Sequence, residues 1–262
     1  MQKKLSIINL LSVILVIAIN YISQAVRIND TTIGELSQRY SNLFTPASYA
    51  FAIWGLIFLS LLAYALFQIK VVFFDKEKLD YIEQTGYWFA FANVLNGIWV
   101  IAFAYEYIGL TVIIMAGILI SLVKIIINTN MERWDAPKEI IAFSWWPICL
   151  YSGWITVAMI ANIALYLTKI GWKGTFLTEV QWTIALMVVA TLINLVIIYK
   201  RNMREFAAVG VWALFAIYIR HQDSMEILAY TALTCSIILL SAILFHGYKN
   251  RKSNPFWKLW II

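Results

Sequence analysis

Long uncharged apolar runs, separated by short clusters of charge, make up most of this chain. They occupy residues 5–26, 47–69, 84–105, 107–123, 140–168, 180–199, 206–219 and 227–248. A run of about 20 apolar residues, rising about 1.5 Å each, crosses a hydrocarbon core about 30 Å thick. Backbone groups in lipid must be satisfied within their own segment, so each run predicts a helix. The third and fourth runs are parted by Glu106 alone, with Gly109 close by, which predicts a tight hairpin. The seventh is the weakest, at 14 residues between Glu205 and Arg220. The pattern predicts an all-α polytopic transmembrane helix bundle of about eight spans.

Composition agrees with that reading. Hydrophobic residues make up 62% of the chain and charged residues 13%, against roughly 25% charged in a water-soluble domain. The first run follows Met-Gln-Lys-Lys but lacks a small-x-small cleavage site, so it is expected to stay as the first helix. The net charge of +6 sits at helix ends, where it suits lipid phosphates and the cytoplasm and gives no reason to expect nucleic acid. Cys149 and Cys235 lie inside apolar runs and predict small buried side chains with no disulfide framework.

Charge bias orients the bundle. With eight spans and the N-terminus inside, fifteen basic residues fall on the inner face and five on the outer, as the positive-inside rule requires. Dropping the seventh span would move the basic C-terminal tail outside and spoil the bias. Residues 27–46 then form the longest outer loop, and both termini are cytoplasmic. The tail Asn254-Pro-Phe-Trp-Lys-Leu-Trp places Trp257, Lys258 and Trp260 as an interfacial anchor. The setting these features predict is a bacterial cytoplasmic membrane.

Several chemistries have no footing in the sequence. No carboxylate lies mid-span, since Glu106, Glu179, Glu205 and Glu226 all flank spans. Proton-coupled pumps usually carry an intramembrane acid or histidine. His221 and His246 are too few and too peripheral for a metal centre or a bis-histidine haem. No hydrolase, zincin or phosphate-loop motif occurs, so no catalytic residue and no metal ligand is expected.

What remains is aromatic and amide side chains at helical spacing. Asn93, Asn96 and Trp99 share one face of the third predicted helix, and Tyr151, Trp154, Ala158 and Asn162 one face of the fifth. Pro46 opens the second helix, with Trp54 two turns on. These amides suit either helix-to-helix hydrogen bonds or a polar-aromatic pocket for a flat ligand. Leu95-Asn96-x-x-Trp99 with Phe103 resembles the third-helix LNxxW…F motif of the TspO/MBR family, the tryptophan-rich sensory and translocator proteins. The run from Tyr151 through Trp154 and Ala158 to Asn162 resembles that family's fifth-helix YxxWxxxAxxxN, and Pro46 and Trp54 keep its second-helix spacing. The chain departs from the family at Phe58, where Tyr is usual, and in the reduced loop Tyr40-x-x-Leu43-x-Thr45-Pro46.

The resemblance implies a TspO-like five-helix unit over residues 1–173, followed over 174–262 by three additional helices and a basic cytoplasmic tail. It also implies a membrane binding or sensory protein for a flat apolar ligand such as a tetrapyrrole, porphyrin or haem. Its pocket would be lined by Trp54, Asn96, Trp99, Tyr151, Trp154 and Asn162. The alternatives are a transporter, with the extra helices completing a path, and an enzyme degrading porphyrin through tryptophan chemistry. The expected partners are the lipid bilayer, a small apolar ligand and a second copy of the chain.

Overall fold

The computed structural model describes residues 1–251 apart from Ser41, Glu77, Lys173 and Thr175. The expected anchor at Trp257 and Trp260 lies outside the described residues. In chain order the helices are α1 (Gln2–Ala25), α2 (Ile33–Arg39), α3 (Ile53–Ile69), α4 (Asp80–Thr85), α5 (Trp88–Ala104) and α6 (Ile108–Asn128). The one-turn α7 (Lys138–Ile140) runs through a π-helical turn, Ile141–Trp145, into α8 (Trp146–Lys169). Then come α9 (Glu179–Arg201), α10 (Arg204–His221) and α11 (Glu226–Lys249). Among the described residues, six helices are long and apolar enough to cross a membrane. The third and seventh expected spans appear as the shorter α5, of 17 residues, and α10, of 18.

The chain divides into two compact units. The first holds Met1–Tyr40 and Ile53–Met131; the second holds Ser41–Ala52 and Glu132–Ile262. In the first, α1 packs against α3 and α5, and α5 pairs with α6 as the expected hairpin. One face of α1 carries the polar residues that meet its neighbours. Asn9 Nδ2 donates to Gln68 Oε1 at the end of α3 (2.9 Å), Asn93 Nδ2 on α5 donates to Ser12 Oγ (3.1 Å), and Asn20 Nδ2 donates to Asn96 Oδ1 (3.3 Å). Each bond between helices contributes about 0.6 kcal/mol, but leaving such an amide bare in an apolar interior costs more. The ladder therefore fixes the register of α1 more than it adds stability.

The turn between α5 and α6 is tied down from outside the helices. Glu106, in left-handed backbone (φ 59°), accepts from Arg39 Nη1 at 2.6 Å and from the Tyr40 hydroxyl. That bond to a carboxylate holds the Tyr40 phenol above its ordinary proton affinity.

In the second unit α10 is the hub, packed against α8, α9 and α11. It is the run that looked weakest for a span. Its buried positions include Ala207, Gly210, Ala213 and Ala216, and small side chains let neighbouring backbones approach closely. A Cβ at Gly153 on α8 would lie 2.7 Å from the Phe206 carbonyl oxygen, and one at Gly210 would lie 2.8 Å from Asn194 Oδ1 on α9. A helix packed against three others needs less hydrophobic length of its own.

Two outcomes are expected. Cysteines placed at the exposed positions Asp30 and Lys78 should react with an impermeant maleimide from opposite faces of the membrane, against a low background because Cys149 and Cys235 are buried; same-face labelling removes the proposed topology. Gly153→Ala should lower the melting temperature, since overpacking against backbone costs about 1–3 kcal/mol. Gly55→Ala, where a Cβ meets nothing within 4 Å, should not.

Candidate functional site

Six residues were expected to line a pocket; Asn96, Trp99, Tyr151, Trp154 and Asn162 are buried within one unit or the other, and Trp54 is half-buried. In the first unit Trp54 stacks on Phe58 at 5.1 Å between ring centroids, and Trp99 stacks on Phe103 at 4.8 Å. Asn96, one turn before Trp99, accepts the hydrogen bond from Asn20. In the second unit Trp154 meets the edge of Phe51 at 6.0 Å, and Tyr151 and Asn162 are buried along the same helix. Asn93, Asn96 and Trp99 share a buried face of α5, and Tyr151, Trp154 and Asn162 are buried along α8. Asn96 and Trp99 sit together on α5, and Tyr151, Trp154 and Asn162 on α8; none of the six lines the cavity described next.

That cavity, of about 600 Å³, lies within the second unit. One wall is the C-terminal half of α8, from Ile160 to Thr168; another is the first two turns of α9, from Glu179 to Leu186. The segment Asn42, Leu43 and Phe44 closes a third side. Trp172 and Trp182 also line it, with ring centroids 5.5 Å apart, and Phe176 lies 5.8 Å from Trp182. The volume falls in the range of small-molecule sites, roughly 300–1,000 Å³.

Local sequence builds these walls. Gly174 adopts φ 79°, and a Cβ there would sit 2.8 Å from the Leu177 carbonyl oxygen, so only glycine fits this turn. Thr178 and Gln181 form a reciprocal capping box that starts α9 one turn before Trp182. The strap over residues 42–50 is shaped by Asn42, whose Oδ1 accepts from the Phe44 N–H at 2.9 Å. α10 then clamps it. Arg220 Nη1 donates to the Thr45 carbonyl (2.6 Å), Trp212 Nε1 to the Ala50 carbonyl (3.0 Å), and the Ala47 N–H to the Ala216 carbonyl (3.1 Å). His221 Nε2 lies 2.9 Å from the Leu43 carbonyl oxygen. A carbonyl only accepts, so this nitrogen carries a proton. Burial lowers the proton affinity of the ring, which favours the neutral tautomer with its hydrogen on Nε2.

Sequence reading missed the cavity residues Asn42, Phe44, Trp172 and Trp182. The usable signal was Trp172 and Trp182 on either side of the loop between the fifth and sixth runs, a place where interfacial belts also put tryptophan.

A second polar group gathers near the start of α8. Glu132, Cys149 and Glu205 bring their donor atoms within 4.8 Å of one another, a sulfur-and-carboxylate set able to hold a divalent cation. The loop carrying Glu132 is pinned by Asn202 Nδ2 on the Glu132 carbonyl (2.8 Å) and by Arg133 Nη2 on the Lys200 carbonyl (2.9 Å). Burial, with the Glu205 charge beside it, pushes the Glu132 carboxyl up to about 8 from the usual 4.5. Between these values the folded chain keeps a proton that the unfolded chain has released. Stability should therefore fall as pH rises from 4.5 to 8. In chelator-treated protein, Glu132→Gln should raise the melting temperature at pH 7.5 and flatten its slope across that window; an unchanged slope would show that Glu132 titrates normally.

Comparison with known proteins adds the last element. A family model described as TSPO-like protein matches residues 6–245. No curated protein and no solved structure matches the chain. The family match runs beyond the motif-bearing helices through α9 and α10 and into α11. With six helices among the described residues long and apolar enough to cross a bilayer, the chain is an integral membrane protein that belongs to the TSPO-like family.

Proposed function

We propose that the chain is a binding or sensory protein of the bacterial cytoplasmic membrane, with both termini in the cytoplasm, for a flat apolar ligand such as a porphyrin or haem. The observation that carries this reading is the cavity of about 600 Å³ walled by α8, α9 and the strap, with Trp172 and Trp182 among its lining residues. Aromatic faces reward a flat ring system beyond simple area burial, by about 0.5–1.5 kcal/mol for each good stack. The helices beyond the fifth then have a defined part, because α9 supplies one wall and α10 holds the strap. The motif-bearing residues, Trp54, Asn96 and Trp99 in the first unit and Tyr151, Trp154 and Asn162 in the second, are the competing ligand residues.

The two locations separate experimentally. Protoporphyrin IX is titrated into the full chain in nanodiscs, and binding is followed by quenching of tryptophan emission and by the porphyrin absorbance. Trp182→Leu should weaken binding up to about tenfold while Trp154→Leu leaves it unchanged. Weakening by Trp154→Leu alone moves the site to the motif-bearing residues. Absence of binding to the unmodified chain rejects the porphyrin reading.

A further inference from the structure

Glu132, Cys149 and Glu205 come from three separate segments of the second unit, so no local motif announces them. Glu132 stands in the loop before α7, Cys149 in the first turn of α8 and Glu205 in the first turn of α10. A carboxylate oxygen of each glutamate and the cysteine sulfur all lie within 4.8 Å of one another.

The backbone fixes this convergence. Gly153 stands about one helical turn after Cys149, and a Cβ there would lie 2.7 Å from the Phe206 carbonyl oxygen. That close approach carries Glu205, the neighbour of Phe206, onto the start of α8. Glu132 adopts left-handed backbone (φ 60°), and its carbonyl accepts from Asn202 Nδ2 at 2.8 Å. Asn202 is itself the left-handed C-cap of α9 (φ 62°), just ahead of α10. The loop glutamate is thus tied to the same corner that presents Glu205.

The atoms so gathered are short of protein partners. Cys149 is fully buried (0% exposed), with its sulfur beside two carboxylates. Glu205 Oε2 is shielded from solvent and accepts no hydrogen bond. A shielded carboxylate oxygen without a donor is costly, and an ion is one of the few things that relieves it. Arg204 does not do so: its charge acts on Glu132, but its Nε is also shielded and without an acceptor. A thiolate and two carboxylates carry three negative charges, which a divalent cation together with Arg204 balances.

We propose that Glu132, Cys149 and Glu205 bind a borderline-soft divalent cation of the zinc class. The sulfur sets the class, because magnesium and calcium take oxygen ligands. Tetrahedral zinc, about 2.0–2.3 Å from oxygen and sulfur, spaces its ligands about 3.3–3.8 Å apart. The three donors reach that spacing by closing roughly 1 Å, within the range of side-chain rotation. Three protein ligands leave the fourth position to water, unlike a closed structural cage. The site stands apart from the chamber between α8, α9 and the strap, and it fastens the loop, α8 and α10 to one another.

The test uses the full, untagged chain, stripped with a chelator and held in phosphatidylcholine nanodiscs under a metal-free reductant. Co²⁺ is titrated in, and the thiolate-to-cobalt charge-transfer band in the near ultraviolet is the readout. The expected result is a band that saturates at one cobalt per chain and is displaced by Zn²⁺ but not by Mg²⁺ or Ca²⁺. Cys149→Ser should remove the band, while Cys235→Ser should leave it intact. Glu132→Gln and Glu205→Gln should each weaken binding by at least about tenfold, the least that loss of a ligand costs. Zn²⁺ should also raise the melting temperature of the unmodified chain, since only the folded form assembles all three segments, and should raise that of either glutamine variant less. Absence of the band from the unmodified chain overturns the proposal. A band that survives Cys149→Ser, or one that both glutamine variants bind with full affinity, overturns the assignment to these residues. Displacement by Mg²⁺ or Ca²⁺ as readily as by Zn²⁺ overturns the class of cation.

Discussion

At Gly153 the fifth predicted span comes so close to α10 that the Phe206 carbonyl occupies the place a methyl group would need. The second unit depends on this contact. It draws α10 against α8 at one end, while Gly210 admits the Asn194 side chain of α9. With several of its inward positions small, α10 packs against three helices. Between apolar helices in lipid, association rests on close packing rather than on expulsion of water. A methyl group at the wrong place therefore removes contact over a whole helix face. The first unit reaches the same end by other means, with α1 held in register by a ladder of amides and hydroxyls.

Periodicity made the helices and their buried faces legible, and charge suggested an orientation. The i, i+3 pairing of Asn93 and Asn96 put both on one face of α5, and that face does meet α1. Spacing along one helix does not say what stands opposite it. Ser12 and Asn20, the partners across the interface, carry no mark in a local pattern. The seventh run shows a different limit. Hydropathy measures how well a segment tolerates lipid, whereas α10 has protein on several sides, so its shortness and modest apolarity go with its packing against three helices.

The cavity was illegible for a related reason. Its polar clamp is made chiefly of side chains reaching backbone carbonyls, Arg220 to Thr45 and Trp212 to Ala50, and any residue supplies a carbonyl. Asn42 looked like an ordinary loop residue, although its amide shapes the strap. The family match supports a membrane protein of a known kind, and the proposed ligand location rests on the cavity.

The strap belongs by contact to the second unit, yet it lies in the sequence between two pieces of the first. Its bond from Trp212 to Ala50 closes a loop of 162 residues. During synthesis this wall of the chamber leaves the ribosome long before the helix that fastens it. Until α10 has been made and inserted, the bonds that tie the strap to Arg220, Trp212 and Ala216 are missing. Closing so long a loop is entropically slow, so the chamber is completed among the last events of biogenesis. A chain arrested before α10 would carry every motif of the first five spans and still have an unfastened wall.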